Sequence, residues 1–193
     1  MATRRALSSL LEWDAYKRAL LETAVEPLNA HDLEFIHRAF DYAELIHQDQ
    51  KRFSGEPYLI HPIAVSLTVA SLKLNATAIA ASLLHDTAED GGNLRDIKKQ
   101  FGDDVAFLVR GVTKVDKLRY HGADGSRDKD AETERAAESM RRMFFAVAED
   151  IRVVILKLAD RLHNMQTLKA QPAADKRLRI AQETLDIYAP LAD

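Results

Sequence analysis

The nine residues ATAIAASLL, from Ala76 to Leu84, carry no charge on any face of a helix and are rich in Ala. A helix with no polar stripe has no side to turn to water, so it must lie inside other helices, and its Ala side chains let those neighbours approach closely. This predicts a layered bundle around one buried rod. A chain of 193 residues is long enough to close a water-excluding core around it. With 47% hydrophobic and 30% charged residues but only seven Gly and five Pro, a disordered or fibrous chain is excluded.

The flanking sequence supplies the other helices. Residues 5–25 and 33–50 place apolar side chains three and four apart, as in Phe35, Ile36, Ala39, Phe40, Ala43, Leu45 and Ile46, which predicts two helices. Ser54, Gly55 and Pro57 form a turn cluster, and Pro62 suits the first turn of a helix reaching about Lys73. The uncharged helix extends over 76–88 until Gly91 and Gly92 end it; Asn93 caps a short helix to Phe101, and Asp103 caps the next to about Thr113. Residues 116–142 hold 14 charged side chains in 27 with Gly122 and Gly125 near the start, which reads as a mobile loop followed by a solvated helix. A long helix over 150–170 and another from Pro172 to about Tyr188 complete the chain. The fold class is all-α, a bundle of roughly eight or nine helices without significant sheet, with residues 1–30 as an added layer on a domain of residues 31–193.

The apolar rod ends in chemistry. His85, Asp86, Glu89 and Asp90 follow it, three acids at a helix end whose dipole already presents partial negative charge, so a cation should compensate them. A second helix repeats the anomaly. In DIRVVILKLADRLHNM, Ile151, Val154, Ile155, Leu158, Leu162 and Met165 make an ordinary apolar face, while Val153 and Leu156 continue at helical spacing into Asp160 and Asn164. A desolvated carboxylate at Asp160 costs several kcal/mol unless paired or coordinated. Two explanations fit this spacing equally: Asp86 and Asp160 pair with Arg or Lys and His85 is a satisfied core histidine, or the acids and imidazole hold one metal ion. With no cysteine in the chain, a metal would be held by His and carboxylates, which suits Mn²⁺ or Fe²⁺ ahead of Zn²⁺ or Mg²⁺. The dipeptide His31-Asp32 is a useful control, because it stands just before a helix, where Asp32 reads as an N-cap. His61, between Ile60 and Pro62, would alone read as a loop histidine, and Lys51, Arg52 and Ser54 as a solvated loop that could also grip phosphate.

The motifs RFSGEPYLIHP, LLHDTAED, GVTK and KLADRLHNMQTL, in this order, resemble the hydrolase domain of RelA/SpoT-type alarmone enzymes, a branch of the HD phosphohydrolase superfamily. The resemblance covers residues 30–193. It implies an HD-type helical bundle over residues 31–193 and Mn²⁺-dependent removal of the 3′-pyrophosphate of ppGpp or pppGpp, giving GDP or GTP and pyrophosphate. It assigns His61, His85, Asp86 and Asp160 as metal ligands and Glu89 and Asp90 as the pair that orients and activates water. Arg52, Ser54 and Asn164 match substrate-contacting positions, with Thr167 and Lys51 beside them. Two departures stand out: Gly91-Gly92 follows Asp90 where the family reads EDT, which would loosen that loop, and Gln166 stands where the family has Arg, which removes a charge near the substrate.

ETLDIYAPLAD is similar to the segment that in long bifunctional members of the family leads onward to a synthetase domain, so the resemblance leaves two expectations open, a stand-alone hydrolase domain or one with a synthetase domain in the same parent chain. The formal charge of −3 gives no basic field for nucleic acid. The stretch over 63–84 is broken by Lys73 and Asn75, and MATRRALSSLLEW lacks a secretory pattern, so the expectation is a soluble cytoplasmic protein. Two competing readings remain at this stage: a non-catalytic alarmone-binding regulatory domain, and an HD phosphohydrolase acting on another nucleotide.

Overall fold

Asn75 starts the central helix by accepting the Ala78 amide on its side chain at 3.1 Å, and every residue from Ala76 to Leu84 except Thr77 is buried. The computed structural model describes residues 11–120 and 150–192, with side chains outside 114–120. Its α-helices are α1 (Trp13–Thr23), α2 (Ala30–His47), α3 (Ile60–Ser71), α4 (Ala76–Leu84), α5 (Leu94–Tyr120), α6 (Ile151–Gln166), α7 (Ala174–Glu183) and α8 (Ala189–Ala192), with a 3₁₀ turn at Leu168–Ala170 and a π-turn at Thr184–Tyr188. The only β pairing among the described residues is an isolated bridge between Lys51 and Pro57, so the all-α expectation holds. No helix among them is long and apolar enough to cross a membrane. The chain divides into two compact units, Met1–Arg110 and Gly111–Asp193.

In the first unit α4 packs against α2 and α3, as its charge-free surface requires. Ile36, Ala39, Phe40, Ala43 and His47 form the buried stripe of α2, and Ile60, Ile63, Val65 and Val69 that of α3. Helix α1 joins this core through Tyr16 and Leu20, both fully buried, with the Tyr16 and Phe40 rings 5.4 Å apart and Trp13 stacked on His37 at 4.0 Å. Ser66 gives its hydroxyl hydrogen to the Ile63 carbonyl at 2.7 Å, so Tyr16 is the donor in the 2.9 Å bond between the two hydroxyls.

Three local expectations are corrected. Asp32 does not cap α2: Asn29 accepts the amides of His31 and Asp32, and Asp32 reaches back to the Asn29 amide at 3.1 Å as the return arm of a capping box. The uncharged helix stops at Leu84 rather than 88, because residues 85–91 form successive turns, with Thr87 donating its hydroxyl to the Leu84 carbonyl. Helix α5 runs to Tyr120, through the start of the segment read as a loop, since no Gly or Pro interrupts it there; the rest of the 116–142 expectation lies outside the described residues. The break between the two short helices expected over 93–113 is real: Gly102 takes φ 89°, which a residue with a Cβ rarely adopts, and redirects the chain within α5.

In the second unit Gly111 lets α5 and α6 meet, since a Cβ there would come within 2.8 Å of Val153. Helix α6 buries the second stripe expected of it, Val153, Leu156 and Asp160, together with Ala159, Lys157 and Arg161. Of the ordinary apolar face Val154 is buried and Leu158 packs against Ile187 and Tyr188, while Ile151 and Leu162 are exposed, contrary to expectation. Ion pairing lets the charged side chains lie inside. Arg161 donates to Glu183 at 2.8 Å and stands 4.3 Å over the Tyr188 ring, so its charge is carried inside by a carboxylate and an aromatic face.

Candidate metal centre and active site

Residues 50–58 fold back on themselves and deliver Tyr58 and His61 to the end of α4. Tyr58 donates its amide to the Gln50 carbonyl, Arg52 to that of Glu56, and Gly55 to that of Arg52, with Gly55 at φ 84° closing the turn. His61 then sits in the first turn of α3, 1% exposed, and His85 caps the end of α4, 3% exposed. Their rings lie 5.1 Å apart.

Between them is the Asp86 carboxylate. His85 Nε2 is 3.2 Å from Oδ1 and His61 Nε2 is 3.6 Å from Oδ2, and one ligand atom from each of the three residues falls within 4.8 Å of the others. The protonation of His85 follows from its other nitrogen. Nδ1 faces the Ser82 carbonyl at 2.7 Å, which can only accept, so Nδ1 carries hydrogen and Nε2 turns a lone pair toward Asp86. A nitrogen lone pair and a carboxylate oxygen at that distance repel unless positive charge lies between them, as a second ring proton or a metal ion. Two imidazoles and a carboxylate fit a divalent cation of borderline character. Tyr58 fixes the carboxylate by donating its phenol to Oδ2 at 2.8 Å; burial first, and then the Asp86 charge, push the phenol pKa far up, so it stays a donor.

The turn after Asp86 carries Glu89 and Asp90, whose amides both bond to the Asp86 carbonyl, at 3.0 and 3.2 Å. Glu89 is exposed and Asp90 partly buried. Burial, then the Asp86 carboxylate, raise the Asp90 pKa, while His47 and His85 pull it down; the like charge acting on Asp90 is Asp86 rather than its neighbour Glu89. Gly91-Gly92 does not loosen this turn. Gly91 has φ 119°, the Gly92 amide bonds to the Thr87 carbonyl at 2.8 Å, and a Cβ on Gly92 would lie 2.7 Å from that oxygen, so the turn is closed at a position only glycine fits.

Of the substrate-contacting candidates, Arg52 and Ser54 stand on the 50–58 loop, Arg52 with its guanidinium 5.7 Å from the Tyr58 ring centre and Ser54 donating to Glu56 at 3.3 Å; Lys51 is exposed beside them. Asp160, Asn164 and Thr167 belong to the second unit. There Asp160, 5% exposed, accepts Lys157 Nζ and Asn164 Nδ2, each at 2.6 Å, and Thr167 donates to the His163 carbonyl. The desolvation expected of Asp160 is present, and Lys157 is its cation within the unit.

Sequence reasoning passed over Tyr58, His47 and Lys157. The signal for His47 was available, since Ile36, Phe40, Ala43 and His47 follow at helical spacing and place an imidazole on an apolar stripe, the same anomaly that singled out Asp160. Lys157 was hidden because a lysine beside an acid reads as a surface pair.

Residues 39–193 match the HD domain family. Among curated proteins, a probable guanosine-3′,5′-bis(diphosphate) 3′-pyrophosphohydrolase of Synechocystis is 47% identical over 82% of this chain, and the bifunctional (p)ppGpp synthase/hydrolase SpoT of Escherichia coli is 47% identical over 81%. A GTP pyrophosphokinase of Myxococcus xanthus is 48% identical over 84%. The chain spans only 20% to 21% of the length of these three relatives. A solved structure described as a metazoan ortholog of SpoT that hydrolyzes ppGpp superposes with a TM-score of 0.60 and 28% identity, covering 85% of this chain and 86% of that one.

Proposed function

This chain belongs to the HD domain family, and from that premise we propose that it is a metal-dependent (p)ppGpp 3′-pyrophosphohydrolase. The observation that carries the reading is the convergence of His61, His85 and Asp86 with Tyr58 locked onto the carboxylate and the Glu89-Asp90 pair one turn away. The similarity to hydrolases of this class supports it.

His61, His85 and Asp86 would hold the cation, with Asp160 as a fourth ligand by the resemblance of its motif. We take Mn²⁺ as the metal. When bound, such a cation acidifies water and neutralises phosphate charge. Water adds to the phosphorus attached to the ribose 3′-oxygen, that P–O bond breaks, pyrophosphate leaves, and the 3′-oxygen takes up a proton. Glu89 and Asp90 would orient the water and accept its proton. Arg52, Ser54, Lys51, Asn164 and Thr167 would hold the nucleotide. Arg52 and Lys51 offer charge to its phosphates, and the Ser54 hydroxyl offers a donor.

Pyrophosphate release from ppGpp with Mn²⁺, measured for the unaltered chain and for Asp86→Ala and Asp160→Ala, tests the proposal. Turnover in the first and none in the variants is expected. Binding of ppGpp without release by the unaltered chain would replace the enzyme with a regulatory module, and release from nucleotides lacking a 3′-pyrophosphate would replace the substrate.

A further inference from the structure

His47 is the last residue of α2 and its ring is wholly buried, yet its Nε2 has no hydrogen-bond partner among the described residues. A histidine kept for packing alone leaves a buried polar atom that costs about 1–3 kcal/mol, which a leucine would avoid. Its other nitrogen explains its presence. Nδ1 is 3.0 Å from Gln50 Oε1 and 3.6 Å from Asp90 Oδ2. Gln50 in turn donates its amide nitrogen to the Asp90 backbone carbonyl at 3.4 Å. That carbonyl only accepts, so the amide nitrogen must face it and the amide oxygen must face His47; an amide oxygen also only accepts, so the ring hydrogen is on Nδ1. The Nδ1 hydrogen therefore lies between two acceptors, one of them the Asp90 carboxylate. The Tyr58 ring, 4.7 Å away at 32°, covers the imidazole and keeps it in place.

We infer that His47, with Gln50, is a positioning residue that fixes the rotamer of the Asp90 carboxylate, holding Oδ2 so that Oδ1 is presented for water. The inference rests on the role proposed above for Asp90. The backbone of Asp90 is already held by its amide bond to Asp86, and His47 adds the constraint on the side chain, from a different helix. A base held within a narrow range of angles gains its rate from orientation, and a displacement of about 1 Å can cost about a hundredfold.

The test uses the full chain. In His47→Phe the ring keeps its packing on Tyr58 but loses the Nδ1 hydrogen: kcat for pyrophosphate release should fall about tenfold to a hundredfold with KM and Mn²⁺ affinity changed by less than about twofold. His47→Asn, whose amide places a donor close to the former Nδ1, should recover most of the loss. A wild-type kcat in the Phe variant, or an Asn variant as impaired as the Phe variant, overturns the inference. Ring ¹⁵N shifts of His47 in the metal-free protein give a reading independent of activity: the Nδ1-H tautomer is expected, with a shift on Asp90→Asn, and an Nε2-H tautomer in the unaltered chain, or an unmoved signal in a folded Asp90→Asn, overturns it even if the His47 variants do not fold. If the unaltered chain has no turnover the proposed function fails, and if Asp90→Asn retains full turnover the role proposed for Asp90 fails; in either case the ¹⁵N result alone then decides whether His47 holds Asp90.

Discussion

Tyr58→Phe removes one oxygen and nothing else from the wall of the candidate metal centre. The ring contacts remain, 4.7 Å to His47 and 6.0 Å to His61, so the 50–58 loop keeps its packing. What goes is the 2.8 Å bond to Asp86 Oδ2. Two effects then oppose each other. Without the donor, Oδ2 becomes a somewhat stronger base, which favours a cation. Orientation works the other way and dominates, because ligands drawn from two different helix ends must meet in one rotamer. Loss of such a partner to a ligating side chain costs about tenfold to a hundredfold in metal affinity, equivalent to about 1.4–2.7 kcal/mol, in line with about 1.5–3 kcal/mol for a hydrogen bond to a charged group. The expected result by calorimetric titration with Mn²⁺ is a dissociation constant about ten to a hundred times higher, with kcat at saturating Mn²⁺ within about threefold of the unaltered chain. An unchanged or lower dissociation constant in a folded variant would refute the assignment of Asp86 as a ligand oriented by Tyr58.

Other perturbations test the scaffold. Tyr16→Phe deletes the donor to Ser66 inside the core and should cost about 0.5–1.5 kcal/mol in urea unfolding. Gly92→Ala drives a Cβ against the Thr87 carbonyl, so it should cost about 1–3 kcal/mol and lower pyrophosphate release, by displacing the turn that carries Glu89 and Asp90. Asn29→Ala dismantles both arms of the α2 capping box and should cost about 1 kcal/mol in the same unfolding assay. The bonds from Arg152 hold the Asp150 carboxyl below its usual pKa of 3.8, so Asp150 adds stability above that value and loses it as the pH falls through the lowered folded pKa. Thermal scans of Asp150→Asn should show lower stability near neutrality and a difference from the unaltered chain that closes below about pH 4.

How far the sequence foretold this molecule depended on whether a feature was local. Ala76–Leu84 was legible as the central rod because nine uncharged residues have only one place to go, and Gly102 was legible as a break because two short helices on either side required a joint. The capping of α2 was half legible: the polar cluster at its start was visible, but whether Asn29 or Asp32 takes the Ncap depends on where the first helical residue falls, a shift of a few residues that periodicity does not resolve. On α6 the desolvated stripe through Val153, Leu156 and Asp160 was legible from helical spacing, but hydrophobicity alone wrongly assigned Ile151 and Leu162 to the core. Charged side chains can occupy that space when their partners come with them, and Glu183, which carries Arg161, is 22 residues away.

The site shows the same division more sharply. His85 and Asp86 could be singled out because acids at the end of an apolar helix are an electrostatic anomaly that sequence displays directly. Their orientation could not, since Tyr58 stands 28 residues from Asp86 and the bond joining them exists only after the 50–58 loop folds back. The net charge of −3 also takes on a different meaning. In the first unit Asp86 is faced by two imidazoles and a phenol, and in the second Asp160 is matched by Lys157, so neither carboxylate stands as a bare negative charge. A divalent cation added between His61, His85 and Asp86 would turn the local balance toward positive, the sign that the proposed pyrophosphate-bearing substrate requires.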